Sequence, residues 1–414
     1  MKVLISAIAC EPGQGSEAKV GWDAIAAISK HHDCHVITHG VYRNSIRQAQ
    51  ESGMLANVRF HYHGRRYTWH PNRWIARIQS WLIYHKWQSG LLEHAANLQR
   101  SYKFDVAHHV TYATWRIPSP LWRLPVPFVW GPIGGAGAMP RAFRHMLSPS
   151  ARLFEALRDL STALSIRSKE FLQCVRNSAV VLAANEESRV FLERFRKRGD
   201  ISKLPVAYFA SDQISALRCY PRPTPSENQP LQIFAGGNLI GAKGLSIALQ
   251  GAALAKEHGL IFKYTIAGGG PELGRLKALV SRLRINDIVT FHSGYGGAAY
   301  HEQLRRTDIY LMPSFRDTTP ITLLEAIIAQ CFPIVADTSA AGEIVRTVGG
   351  HTIPLTNADD MASNICDALL RCGRERFQTS QVSDDAAYAV TRIFSKEAYL
   401  AGIGNAYYRA VSRN

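Results

Sequence analysis

Short apolar runs alternating with helix-like stretches, in two series, constrain this chain more than any other feature. In the first series Lys2–Ala9, His35–His39, Val58–His63, Asp105–Val110, Phe128–Trp130 and Ala179–Ala184 read as strands. Helical patterns separate several of them, and such a βαβ rhythm predicts a mainly parallel sheet covered by helices on both faces. After Leu204 the pattern loosens, and Tyr220–Pro230 is rich in proline with no apolar periodicity, as a linker is. A second series follows, with strands expected at Leu231–Ala235, Lys263–Ala267, Ile288–His292, Ile309–Met312 and Pro333–Ala336. The predicted fold is therefore α/β, two Rossmann-like doubly wound domains facing across a cleft. The expected divisions are residues 1–204, a linker at 205–230, a second domain at 231–385 and a closing segment at 386–414.

Length agrees with this division, since 414 residues are long for one domain. No apolar run is long enough to span a bilayer, and Met1–Cys10, followed by Glu11-Pro-Gly, reads as a first strand and not as a secretory leader. Seven scattered cysteines without a C-x-x-C spacing argue against a disulfide framework or a zinc site and for a reducing, cytoplasmic setting. Charge carries a further message. The formal net charge of +16 calls for an anionic partner, whether nucleic acid, lipid head groups or a phosphorylated substrate. No recognised DNA- or RNA-binding module accompanies it, so nucleic acid is not the expected partner.

Asp308–Ser314 reads as a buried strand that stops at proline and serine, and the helix after it is expected to start at Pro320 with Thr319 as N-cap. Ligands of open α/β sheets bind at such strand ends, where a helix N-terminus favours anions. Asp317 in this loop and Glu325 in the second helical turn are placed to accept hydrogen bonds from ligand hydroxyls. Phe234–Gly244 is a second strand-to-helix turn, in which Gly237 and Asn238 precede Lys243; glycines admit a phosphate to the backbone and the lysine supplies charge. Ile266–Glu272, with Gly269 and Pro271, is a third. In the first half, Glu11–Trp22 forms a loop in which Gly13 and Gly15 allow close approach, with a helix from about Ser16. His108 and His109 end a strand, and alternation points them to opposite faces, so one of the two is expected at the cleft. Gly134, Gly135 and Gly137 make the next loop pliable. Arg65, Arg66, Arg73, Arg77 and Lys86 interleave with Trp69, Trp74, Trp81, Tyr84 and Trp87, as in an interfacial helix on anionic lipid over Pro71–Gly90. Core tryptophans under surface arginines would look the same. A second basic run, Arg189 to Arg198, reads as a solvated helix face.

Together these motifs resemble retaining glycosyltransferases of the GT-B type, family 4, in a branch found in bacterial polysaccharide synthesis. Asp317 and Glu325 match the acid-x7-Glu motif, Lys243 the phosphate-binding lysine, Ile266–Glu272 the Gly-x-Gly-Pro-Glu turn, and Glu11–Glu17 the Glu-Pro-Gly-x-Gly-Ser-Glu loop. The resemblance implies a nucleotide-sugar donor, an acceptor saccharide, lipid-linked in this branch, no cofactor and no metal. It also implies a closing helix at Ser395–Arg409 that crosses back to the first domain, while the interleaved tryptophans and arginines and the basic excess point to peripheral attachment at the inner, anionic face of the membrane. In the family Glu325 would hold the ribose hydroxyls, Asp317 would contact the donor sugar, and His109 would lie beside that sugar. Three departures from the pattern stand out. Asp317 is shorter than the usual glutamate, Asn238 stands where an arginine is usual, and Thr318-Thr319-Pro320 replaces glycines, removing one N–H that threonine hydroxyls would have to replace. A catalytically weak or inactive GT-B scaffold is the alternative these departures allow, and an epimerase on the same fold is a further one.

Overall fold

The computed structural model describes residues 1–414 except 14–15, 65–72, 197–198, 219–228, 339, 376–381 and 413–414, and the side chains except those of residues 16 and 73–78 as well. Gly15, Arg65, Arg66, Trp69, the side chains of Arg73, Trp74 and Arg77, Lys197, Arg198 and most of the proline-rich stretch therefore lie outside the described residues.

The chain divides into two compact units. The first comprises 1–136, 159–208 and 396–414, the second 137–158 and 209–395. Residues 137–158, assigned by the sequence reading to the first domain, thus pack with the second, and Ser211–Arg218, expected within the linker, is a helix. The closing helix, Lys396–Val411, belongs to the first unit, whereas Asp384–Ile393 belongs to the second.

Among the described residues the first unit holds seven parallel strands, β1 (Lys2–Ala7), β2 (Asp33–His39), β3 (Arg59–His63), β4 (Val106–Thr111), β5 (Phe128–Ile133), β6 (Val180–Ala183) and β7 (Ile201–Lys203), in the order β3-β2-β1-β4-β5-β6-β7. The second holds six, β8 (Leu231–Gly236), β9 (Phe262–Ala267), β10 (Val289–His292), β11 (Ile309–Met312), β12 (Phe332–Ala336) and β13 (His351–Ile353), in the order β10-β9-β8-β11-β12-β13. Every strand of β1, β4, β5, β6, β11 and β12 is buried along nearly its whole length, as a parallel sheet sandwiched by helices requires. Only β7 and β13 escape the sequence reading. Both are three-residue edge strands, too short to show a period.

Each sheet reverses its winding once, between β1 and β4 in the first unit and between β8 and β11 in the second. At such a switch point successive helices leave toward opposite faces, and a crevice opens beyond the carboxyl ends of the two strands. In the second unit β8 and β11 pair only through Ile309 with Ile233 and Tyr310 with Phe234, so the strands part early. That parting places the candidate site.

Candidate functional site

The crevice at the β8/β11 switch is lined by Gly236, Gly237, Asn238, Lys243, Met312 and Pro313 among others. Three loops form it, and backbone hydrogen bonds lace them together. Leu239 N–H donates to Gly269 O at 2.9 Å, Glu272 N–H to Leu239 O at 3.1 Å, and Phe315 N–H to Ala242 O at 2.9 Å. The glycines divide into two groups by what a side chain would meet. A Cβ on Gly244, at φ +66°, would lie 2.1 Å from Pro313 O, and one on Gly268, at φ +133°, 2.0 Å from Gly237 O. Those glycines let the loops touch one another. Gly237 and Gly269 have no atom within 4 Å of such a Cβ. Their faces are open, where a ligand could approach the backbone.

Lys243 and Asp317 meet in this crevice. Lys243 Nζ donates to Asp317 Oδ1 at 2.9 Å and Oδ2 at 2.8 Å, with side chains 24% and 18% exposed. The two residues are 74 apart in sequence, and the β8/β11 pairing, with the Phe315 to Ala242 bond between the loops, brings them together. Glu325 lies half-buried in the helix Ile321–Ile328. Burial, then the neighbouring Tyr310, then the Glu325 carboxylate push the Tyr300 phenol far above its ordinary pKa. Burial first, then Glu325 and Asp317, also raise that of Tyr310, so both acids lie within electrostatic reach of one phenol. Asn238 and Pro271 are exposed beside the crevice, and Thr318 and Thr319 are half-buried, each with a bonding or electrostatic partner.

The helix start differs from expectation. Pro320 occupies the N-cap, not the first helical position, and Thr319 is not the cap. The Ile321 N–H donates to Thr319 O and those of Leu323 and Leu324 to Pro320 O, which satisfies much of the first turn internally. This end therefore offers an anion fewer amides than the sequence reading assumes. Positive charge at the site rests on Lys243.

One positioning contact had no sequence signal. Arg316, next to Asp317, forms a fork with Glu155, Nη1 to Oε2 at 2.5 Å and Nη2 to Oε1 at 2.7 Å, both side chains largely buried. Glu155 belongs to the helix Pro149–Ser165, and Phe143 packs on Phe315 from the preceding segment, so residues 137–158 clamp the Asp317 loop within their own unit. Ser148 likewise donates to Glu272 Oε1 at 2.8 Å. These partners lie more than a hundred residues from the loops they hold.

In the first unit, alternation turns His108 and His109 to opposite faces as expected. Both are fully buried. His109 Nδ1 lies 3.0 Å from Ser6 Oγ and Nε2 3.1 Å from the Tyr84 hydroxyl, while His108 bonds Tyr407 Oη at 2.8 Å and Gly131 O at 2.7 Å. The structure thus gives His109 two protein partners at the β1/β4 switch and no exposed ring atom. Burial lowers its pKa to about 3 and that of His108 to about 4. Gly13, at φ +71°, is open on its Cβ side. Tyr84 and Trp87, expected on an interfacial helix, are core residues of the helix Arg73–Tyr102, whereas Trp81 is half exposed.

A doubly wound pair of parallel sheets, with a cation and two acids gathered at one switch point, defines the GT-B class of fold. Known structures agree. Sucrose-phosphate synthase from Thermosynechococcus elongatus superposes with a TM-score of 0.67 at 13% identity over 100% of both chains. The Anabaena protein HepE in complex with UDP-glucose does so with a TM-score of 0.57 at 14% identity, covering 98% of each. Residues 220–379 match the family model described as glycosyl transferases group 1, so the second unit carries a domain of that family. By sequence the chain is 26% identical over 247 residues to WcaL of Escherichia coli (strain K12), whose name provisionally assigns it as a colanic acid biosynthesis glycosyltransferase. That alignment covers 57% of this chain and 59% of the relative's length.

Proposed function

We propose that this protein transfers a sugar from a nucleotide-sugar to an acceptor hydroxyl, with retention of the anomeric configuration and without a metal. The observation that carries the reading is the Lys243–Asp317 pair beside the open faces of Gly237 and Gly269, at the switch point of the group 1 domain. An ammonium has three N–H donors, and Asp317 takes two. The third remains to meet a diphosphate without breaking the pair. As the bond from the anomeric carbon to the diphosphate breaks and that to the acceptor oxygen forms, the acceptor hydroxyl's proton passes to the departing diphosphate oxygen, and Lys243 stabilises the charge gathering on that leaving group. Asp317 faces the donor sugar, Glu325 the ribose hydroxyls, and Thr318 and Thr319 supply hydroxyls where the pattern has glycines. We take the acceptor to be a saccharide on a lipid carrier in bacterial cell-surface polysaccharide synthesis, handled at the cytoplasmic face of the membrane by a peripheral enzyme. The relative named for colanic acid biosynthesis supports that assignment. Among the described residues no helix is long and apolar enough to cross a membrane.

Calorimetric titration with UDP, GDP and ADP in the presence of EDTA tests the site. One nucleotide should bind, and binding should fall at least tenfold in Lys243→Ala and Glu325→Ala, about the value of one charge-assisted hydrogen bond. Failure of all three nucleotides to bind would overturn the reading in favour of a non-catalytic scaffold.

A further inference from the structure

The helix Pro149–Ser165 is amphipathic the wrong way round. Its inward side holds Glu155, paired with Arg316, together with Arg158, which donates to Gly137 O, and Thr162, which accepts from Arg116. Its outward side carries Leu153, Leu157, Leu160 and Leu164 at 53%, 48%, 55% and 63% exposure. The spacing of four, three and four residues sets all four leucines on one stripe, and Ala156 and Ala163 lie on the same face. No charge interrupts that stripe. Exposed Arg152 stands at its start, and exposed Arg167 and Lys169, with one exposed acid, Glu170, follow its end. Most other exposed large apolar residues, such as Met54, Val190 and Ile261, are scattered singly, which is ordinary; a continuous leucine face is not.

We infer that this face docks on an anionic lipid bilayer, with the leucines in the acyl boundary and the arginines at the phosphates. Three features select lipid over a second copy of the chain. A leucine seam at this spacing could pair as a coiled coil, but it is only about 16 Å long at the helical rise. Its flanking e and g positions, Phe154, Ala156, Ser161 and Ala163, carry no charge to fix a partner helix. Each chain also bears +16, so two copies repel where an anionic surface attracts. An apolar face bracketed by cations is what an interfacial helix presents. The docked helix is also the one that grips Arg316 beside Asp317, so docking brings the donor loop's anchor to the lipid surface. The acceptor consequence rests on the function proposed above; the docking itself does not.

The test is flotation of the full chain with vesicles of phosphatidylethanolamine and phosphatidylglycerol, against vesicles of phosphatidylcholine alone, at low and high salt. The expected result is binding to the anionic vesicles that weakens with salt and falls at least about tenfold in Leu157→Glu/Leu160→Glu. Arg152→Glu/Arg167→Glu should also lose binding. Circular dichroism and nucleotide titration of the same variants should match wild type, which separates lipid docking from the donor site. Equal binding to both vesicle types, full binding by the leucine variant, or no vesicle binding by wild type would overturn the inference. So would a dimer in sedimentation that the leucine variant dissociates while vesicles bind neither protein.

Discussion

Glu155→Ala should unfold the second unit's site before it touches the first unit. The fork to Arg316 consists of two charge-assisted hydrogen bonds at 2.5 and 2.7 Å, with the side chains 5% and 16% exposed. Removing one partner of a buried pair costs about 3–5 kcal/mol, chiefly because the other charge is left unpaired. Arg316 retains some water contact, so the expected cost is the lower value, about 3 kcal/mol, on the order of a hundredfold in the folding equilibrium. All eight tryptophans precede residue 137 and lie in the first unit. Tryptophan fluorescence in a urea titration therefore follows that unit, and far-ultraviolet circular dichroism follows both. The variant should move the circular-dichroism transition to lower urea and leave the fluorescence transition nearly in place. Glu155→Leu/Arg316→Met, which removes both charges, should recover stability to within about 1 kcal/mol while nucleotide binding stays weak, because the Asp317 loop has lost its tether. A loss below about 1 kcal/mol in Glu155→Ala, the value of a surface pair, would refute the claim that this fork holds the loop.

Other outcomes follow from the same geometry. Asn238→Arg restores a second cation at the crevice and should tighten nucleotide binding about tenfold by calorimetry, the value of one added charge-assisted hydrogen bond; unchanged affinity would place residue 238 away from the phosphates. Gly268→Ala, whose Cβ would meet Gly237 O at 2.0 Å, should destabilise the second unit by several kcal/mol, on the order of other strained or overpacked sites. Gly269→Ala should leave stability within about 1 kcal/mol yet weaken nucleotide binding, since its Cβ position is open; a large stability loss there would contradict the open face. The first unit should lose stability in acid. Burial depresses His109 to about 3 and His108 to about 4, below the usual unfolded value near 6.5, so the unfolded chain binds more protons between those limits. Stability is fully present above about pH 6.5 and falls as pH drops toward 4, by up to about 2.7 kcal/mol per pH unit for the two groups together. Thermal unfolding followed by tryptophan fluorescence should show that slope flattened in His109→Gln, and an unchanged slope would count against it.

All strands but the short edge strands β7 and β13, and the three glycine turns, were legible in the sequence because buried parallel strands are continuous apolar runs and their ends are marked by Gly and Pro. Lys243, Asp317 and Glu325 were legible as separate signals for the same reason, each following a strand end. Their meeting was not legible. It depends on β8 and β11 becoming neighbours at a switch point, a non-local pairing that no local pattern encodes. The histidine pair shows the limit from the other side: alternation foresaw opposite faces, but only the packing of Ser6, Tyr84 and Tyr407 around them decides that both are buried with partners. The Glu155–Arg316 fork and the outward leucines of one helix likewise arise from which face the fold turns inward. By itself the sequence determined two α/β units, their turn chemistry and an anion-seeking charge. Tertiary structure decided which distant groups share a crevice and which apolar face is left to the solvent, because burial is a property of the assembled layers and not of any one segment.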